Sequence, residues 1–283
     1  MDKILVTGSK GFIGEQIVKR LKKSQVITDS INSKQIDLKN IDEVMKLDTS
    51  DIVIHLAAKT SKELDWNEYF CNNVIGTLNI LEYCIRKKIK KMIFVSSYVY
   101  GVPHNIPINE KHPVSPHNAY TRSKFLAEQL CEFYAKNSEL NVIILRPFNI
   151  FGENLPNGFL ISNIIKSIIT NKKIIILNKE NKRDFLYIDD FVDVILKIKE
   201  QNLKFEIFNV GSGKSYSFYE IIKKVENFTF KKINVNYKID EKVSIKDIKA
   251  DISKINEKIK WKPKISLDEG LKKILKKYNI TNN

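Results

Sequence analysis

Tyr120 and Lys124 stand four residues apart in Asn118-Ala-Tyr-Thr-Arg-Ser-Lys-Phe-Leu-Ala-Glu-Gln-Leu130, a stretch that reads as a helix. Four residues is one helical turn, so the two side chains share a face. An ammonium beside a phenol favours the phenolate, because an opposite charge stabilises the ionised form. A tyrosine held that way gives or takes a proton near neutral pH.

A second group with chemical content opens the chain. Thr7-Gly8-Ser9-Lys10-Gly11-Phe12-Ile13-Gly14 follows the apolar run Lys3–Thr7 and leads into residues 13–23, whose apolar Ile13, Ile17, Val18 and Leu21 recur at helical spacing. Strand, glycine turn and helix in that order form the context of a dinucleotide loop. Glycine allows a tight turn and close approach to a pyrophosphate, and the helix N-terminus points free amides at it. Asp29, near the end of a second apolar run at Gln25–Asp29, is placed to accept from an adenosine ribose and to repel a 2′-phosphate, which favours NAD. Lys10 pulls the other way, toward NADP, because it offers a 2′-phosphate a positive partner.

These residues need a scaffold, and the pattern supplies one. Asp51–Leu56, Lys91–Ser96 and Asn141–Leu145 read as further buried strands, with a short helix over Ile41–Leu47, a long one over Tyr69–Lys87 and the Tyr120 helix between them. Short apolar strands alternating with amphipathic helices predict an α/β fold with a doubly wound parallel sheet. Past Gly152 the alternation loosens. The expected division is a dinucleotide-binding domain of residues 1–152 plus about 174–200, and a smaller interleaved lobe of about 153–173 and 201–283.

Composition narrows the function classes. The 283 residues are 43% hydrophobic, enough for a real core. The net charge is +15, but only five of the 48 basic residues are arginine and the lysines are spread along the chain. A nucleic-acid stripe is clustered, interleaved with aromatics and rich in arginine, so no nucleic-acid partner is expected. No apolar run reaches membrane-spanning length, and Met1-Asp-Lys-Ile-Leu-Val enters a strand with no leader pattern, so neither a membrane nor export is expected. Cys71, Cys84 and Cys131 fit reduced thiols in a cytoplasmic protein, and the four histidines show no metal-ligand spacing.

The ordered motifs resemble the extended short-chain dehydrogenase/reductase family, in its nucleotide-sugar epimerase, reductase and dehydratase branch. The resemblance covers the full chain: the TGxxGxxG loop, Asp37-Leu38, His55-Leu56-Ala57-Ala58, Asn73-Val-Ile-Gly-Thr77, Ser96-Ser97-Tyr-Val-Tyr-Gly101, Tyr120 with Lys124, Leu145-Arg-Pro147-Phe-Asn149-Ile-Phe-Gly152, Arg183-Asp-Phe-Leu-Tyr-Ile-Asp-Asp190, Phe208-Asn-Val-Gly211 and Trp261-Lys-Pro263. It implies a Rossmann-type fold with NAD, or alternatively NADP, held by Gly8, Lys10, Gly11, Phe12, Ile13, Gly14, Asp29, Asp37, Leu38, Leu56, Ala57, Ala58, Asn73, Tyr120, Lys124 and Pro147. It implies a nucleotide diphosphate sugar on Lys59, Ser96, Ser97, Asn149 and Arg183. Tyr120 becomes the acid/base at a sugar oxygen, Lys124 its partner, and Ser96 the hydroxyl that orients the reacting oxygen, with Ser97 as the fallback. The second diphosphate arginine usual before Ala250–Lys254 is missing; Lys242 or Lys246 is the candidate replacement.

The subtype is less sharply written. The family's 4,6-dehydratases carry an Asp-Glu pair where this chain has Ser97 and Tyr98, which disfavours dehydration. A 4-epimerase acting on a UDP-sugar with retained NAD and an NAD(P)H-dependent 4-ketoreductase need the same residues; Asp29 and the Asn149 segment favour the first, and the short chain favours the second. A non-catalytic dinucleotide-binding regulator is the reading from another class, and the intact Ser96, Tyr120 and Lys124 oppose it. The resemblance further implies a homodimer joined by a four-helix bundle of the Tyr69–Lys87 and Tyr120 helices, and a role in polysaccharide biosynthesis.

Overall fold

A computed structural model describes residues 2–24, 27–60, 65–241 and 245–280; of residues 27–29 it describes the backbone alone. The chain divides into two compact units. The first holds residues 1–101, 113–147 and 192–208, the second 102–112, 148–191 and 209–283. The second unit thus takes residues 102–112, 148–152 and 174–191, and the first takes 201–208, which differs from the expected division.

In the first unit the order is β1 (Lys3–Thr7), α1 (Phe12–Lys23), β2 (Ile27–Ile31), α2 (Ile41–Met45), β3 (Ile52–His55), α3 (Trp66–Tyr69), a π-helical turn (Phe70–Ile75), α4 (Gly76–Arg86), β4 (Lys91–Val95), α5 (Ala119–Asn137) and β5 (Asn141–Pro147). The second unit follows with β6 (Asn149–Phe151), α6 (Leu160–Thr170), β7 (Ile174–Leu177) and β8 (Lys182–Tyr187). Then α7 (Ile188–Lys199) and β9 (Phe205–Val210) carry the chain through the first unit. It ends with β10 (Ser215–Ser217), α8 (Phe218–Thr229), β11 (Val235–Lys238), β12 (Asp247–Ile248), α9 (Ser253–Ile259) and α10 (Leu267–Lys277).

The main sheet runs β2-β1-β3-β4-β5-β9. β1 pairs in parallel with β2 and β3, β3 with β4, and β4 with β5. These strands are apolar almost throughout because both faces are covered. On one face Leu5, Val53, Met92, Phe94, Val142 and Ile144 pack with Ile80, Leu81 and Cys84 of α4 and Ala127 and Cys131 of α5. Each fully buried aliphatic side chain there contributes about 1.5–3 kcal/mol. That packing fixes α5, and with it the Tyr120 turn, against the sheet.

The expected long helix over Tyr69–Lys87 is three segments, with α3 starting earlier, at Trp66, and the π-helical turn between α3 and α4. In the second unit β8 pairs with β6, β10 and β12, and β7 pairs with β11.

Candidate active site

The first unit brings the glycine loop to the carboxyl end of β1, where α1 begins. Gly8 has φ +69°, and a Cβ there would lie 2.8 Å from the Ala57 amide nitrogen; a Cβ on Gly14 would collide with the Gly8 carbonyl. Only glycine permits both the turn and this approach. Gly11 and Lys10 stay exposed, while Phe12 and Ile13 are partly buried in the first turn of α1. The three glycines therefore leave open backbone at a helix N-terminus, and this suits a pyrophosphate.

Leu56, Ala57 and Ala58 follow β3 and are partly buried, and Lys59 is exposed. Asp37 is exposed, and its carboxylate accepts from the Lys39 amide at 3.0 Å. Leu38 is held by its carbonyl, which accepts from Asn79 Nδ2 at 2.8 Å. Asp29 lies in β2 opposite Leu5; its side chain is outside the described residues. Pro147 ends β5 and is buried.

Helix α5 starts where its sequence dictates. Asn118 accepts from the Thr121 amide at 2.8 Å, and the Thr121 hydroxyl accepts from the Asn118 amide at 3.3 Å. Such a reciprocal cap is worth about 1 kcal/mol. Tyr120 falls in the first turn, its ring 6.2 Å from that of Tyr69. Lys124, one turn on, is 2% exposed, with Nζ 4.2 Å from the centroid of the Phe94 ring.

The electrostatics correct the sequence reading. Burial pushes the Tyr120 phenol above its ordinary pKa, and the hydrogen bond with Ser97 opposes this only in part. Burial pushes Lys124 down from 10.5 to about 8, with Cys131 and Glu128 acting the other way. A phenol depressed by its lysine is therefore not what the structure shows; desolvation is the largest influence on Tyr120, and it raises the pKa.

The two serines at the end of β4 are separated by environment. Ser96 is 3% exposed and its hydroxyl has no hydrogen-bond partner among the described residues, while Ser97 is partly buried and acts to lower the Tyr120 pKa. A buried unpaired hydroxyl costs about 1–3 kcal/mol, a cost that an oxygen-bearing ligand removes.

In the second unit Asn149 donates to the Asp184 carbonyl at 3.1 Å. Arg183 donates to the carbonyls of Lys182 at 2.7 Å and Ile245 at 3.2 Å and lies over the Phe218 ring. The neighbouring Asp184 is buried and accepts from Ser212 N, Ser212 Oγ, Gly213 N and Ala250 N at 2.6–3.1 Å. Burial lifts its pKa to about 6 against those donors. Lys246 is exposed; Lys242 lies outside the described residues.

Sequence reasoning missed two buried polar groups. Arg146 and Glu128 are each about 3% exposed and form a forked pair at 2.6–3.1 Å, with Arg146 Nη1 also donating to Tyr100 Oη at 2.9 Å. Glu128 continues the Tyr120–Lys124 spacing by one more turn, and Arg146 is an arginine in an apolar strand; those were the available signals. His55 was placed by its motif but not by its bonds. It lies between Thr7 Oγ1 at 2.6 Å from Nδ1 and Thr77 Oγ1 at 3.1 Å from Nε2, and burial, with help from Lys124, lowers its pKa to about 3. Among the described residues no cluster of His, Cys, Asp or Glu is arranged to hold a metal ion, and no helix is long and apolar enough to cross a membrane.

Residues 4–211 match the model of the NAD dependent epimerase/dehydratase family, and the chain belongs to that family. It is thus an NAD-dependent enzyme of extended short-chain dehydrogenase/reductase type. A Methanocaldococcus jannaschii protein is 34% identical over 96% of this chain and 97% of its own length; its name assigns UDP-glucose 4-epimerase activity only provisionally. A dTDP-D-glucose 4,6-dehydratase of Dictyostelium discoideum is 33% identical over 81% of this chain and 62% of its own length. Among solved structures, the UDP-glucose 4-epimerase of Thermotoga maritima with UDP-glucose is similar at TM-score 0.87, with 26% identity over 98% of each chain.

Proposed function

We propose that the protein is a nucleotide-sugar 4-epimerase, with a UDP-sugar as substrate. The observation that carries this reading is the Ser96 hydroxyl, buried and without a hydrogen-bond partner among the described residues, with the Tyr120 phenol and Lys124 one helical turn apart on α5. In this reading Tyr120 takes the proton of the C4 hydroxyl and later returns it. Ser96 donates to the C4 oxygen and orients it. Lys124 holds the nicotinamide ribose and supplies positive charge near the phenolate. NAD, when bound, accepts the C4 hydride and returns it to the other face of the keto sugar. The loop glycines, Lys10, Phe12, Ile13, Asp29, Asp37, Leu38, Leu56 to Ala58, Asn73 and Pro147 form the cofactor site, and Lys59, Ser97, Asn149 and Arg183 contact the substrate. Arg183 suits a diphosphate because its fork makes paired hydrogen bonds.

One feature of the chain limits the alternatives. Ser97 and Tyr98 stand where a dehydratase needs an acid–base pair, so water elimination lacks its groups. The 4-ketoreductase reading shares every other residue and differs in cofactor turnover. A homodimer through α4 and α5 is part of this proposal; Phe133 on α5 is 60% exposed and Ile85 on α4 is 37% exposed. Light scattering at micromolar concentration that reports a monomer removes it.

The test is to offer the purified protein UDP-, GDP-, dTDP- and CDP-sugars and follow the C4 configuration by NMR and reduced cofactor by absorbance. Interconversion of C4 epimers without net cofactor turnover supports the proposal. Stoichiometric consumption of reduced cofactor with a 4-keto sugar assigns the reductase instead. Tyr120→Phe is expected to lower turnover by roughly 10²–10⁴-fold.

A further inference from the structure

One continuous run of hydrogen bonds crosses the first unit from the glycine loop to the Tyr120 turn. Thr7 Oγ1 accepts from the amides of Leu56 and Ala57, each at 3.2 Å, so its own proton faces His55 Nδ1 at 2.6 Å. His55 is neutral, and with Nδ1 accepting, its proton sits on Nε2 and goes to Thr77 Oγ1 at 3.1 Å. The Thr77 hydroxyl then donates to the Asn73 carbonyl at 2.6 Å.

Asn73 is 1% exposed and carries the run onward. Its Oδ1 accepts from the Lys59 amide at 2.8 Å, and its Nδ2 donates to the Lys59 carbonyl at 3.2 Å and to Ser123 Oγ at 2.9 Å. Ser123 Oγ donates to the carbonyl of Tyr120 at 2.8 Å. Asn73 sits in the π-helical turn, a feature rare in regular helices and frequent at functional sites.

We propose that Asn73, Thr77 and Ser123 are positioning residues, which hold the backbone turn bearing Tyr120 in fixed register with the glycine loop through a neutral His55. The proposal deepens the 4-epimerase reading and rests on it for the role of Tyr120. Each donor in the run has one acceptor suited to it, so displacing one member reorients the next. The run ends on the carbonyl of the proton-transfer residue, where a small displacement is costly: a misplacement of about 1 Å at a reacting group lowers rates by roughly a hundredfold. Asn73 spends both amide N–H donors and one acceptor site on this clamp, so its contribution to the cofactor site runs through the walls it holds.

The test uses Thr77→Val, which keeps shape and deletes the hydroxyl, beside Thr77→Ser, which keeps the hydroxyl; Ser123→Ala and Ser123→Thr form a second pair. Three readouts are taken on the full chain: kcat and KM with the UDP-sugar, the urea midpoint, and the Tyr120 phenol titration by ultraviolet difference against Tyr120→Phe. Thr77→Val and Ser123→Ala are expected to lower kcat at least tenfold with KM near the parent value and to shift the Tyr120 titration, with Thr77→Ser and Ser123→Thr recovering most of each loss. An unchanged Tyr120 titration in folded Thr77→Val and Ser123→Ala overturns the proposal, as does a kcat loss equal in Val and Ser variants. The titration needs no substrate. If no nucleotide sugar is turned over, the 4-epimerase reading fails while the positioning run is still decided by the phenol.

Discussion

Replacing Lys124 by Met is expected to make the protein more stable and inactive. Lys124 is 2% exposed, and burial lowers its pKa from 10.5 to about 8. The charged form is thus disfavoured in the folded state by about 2.5 pH units, and at roughly 1.4 kcal/mol per unit this is a cost of about 3 kcal/mol at neutral pH. The sign follows from proton counts. Between about 8 and 10.5 the unfolded chain holds the Lys124 proton and the folded chain does not, so folding stability rises with pH across that window and the full cost applies below it. Methionine keeps the apolar stem against Phe94 and removes the ammonium. Urea unfolding of nucleotide-free protein at pH 7 is expected to show Lys124→Met more stable by up to about 3 kcal/mol, a gap that closes between pH 8 and 10.5. Titrating groups remote from Lys124 cancel in the comparison. A variant that is less stable at pH 7, or a gap that does not change with pH, refutes the reasoning. Turnover is expected to fall with the gain in stability, which marks Lys124 as a charge kept for its function.

Three further outcomes follow from the same interior. Glu128→Ala leaves the Arg146 guanidinium buried and unpaired, so about 3–5 kcal/mol is expected to be lost in urea unfolding, with a large part recovered in the double variant Glu128→Leu, Arg146→Met. His55 has its folded pKa lowered from 6.5 to about 3, so its contribution is complete above pH 6.5 and is lost as pH falls toward 3; relative to His55→Asn, parental stability is expected to drop by up to roughly 1.4 kcal/mol per pH unit in that window. Asp184 has its folded pKa raised from 3.8 to about 6, so its folded form retains a proton that the unfolded chain releases. Stability of the second unit is expected to fall as pH rises from about 4 to 6, which hydrogen exchange at the amides of Ser212, Gly213 and Ala250 will report.

Much of the first unit was legible because its signals are local. The run Lys3–Thr7 is observed as a strand over those same residues, and the helix expected from Ile13 begins at Phe12. Gly8 and Gly14 were readable because their need is steric, and the collisions a Cβ would meet confirm it. The second strand is observed at Ile27–Ile31 and ends two residues later than expected, because an apolar run does not state its register with β1; Gln25 and Val26 lie outside the described residues. The π-helical turn was invisible, since one extra residue in a helical ladder leaves the apolar spacing nearly intact. The roles of Glu128, Arg146 and Asp184 were hidden for a different reason. Each is satisfied by partners distant in sequence, 18 residues for Glu128 with Arg146 and 66 for Asp184 with Ala250, and no spacing rule reaches that far.

The reversal at Tyr120 bears on how such a pair works. Spacing alone suggests that Lys124 makes the phenol acidic, yet in the structure both groups are shifted toward their neutral forms by burial. Lys124 still carries its proton at pH 7, but burial raises the phenol despite that nearby charge, so the site by itself does not hold a ready phenolate. Acidity at Tyr120 then has to come from what else enters the site: a positive charge near the phenol, or a ligand oxygen that engages the free Ser96 hydroxyl. On this argument proton transfer depends on occupancy of the dinucleotide site. The Tyr120 titration in the presence of saturating NAD is therefore expected to move to lower pH than in the nucleotide-free protein, read by the same ultraviolet difference against Tyr120→Phe. A titration that does not move with NAD places the activation of the phenol in Lys124 and Ser97 alone.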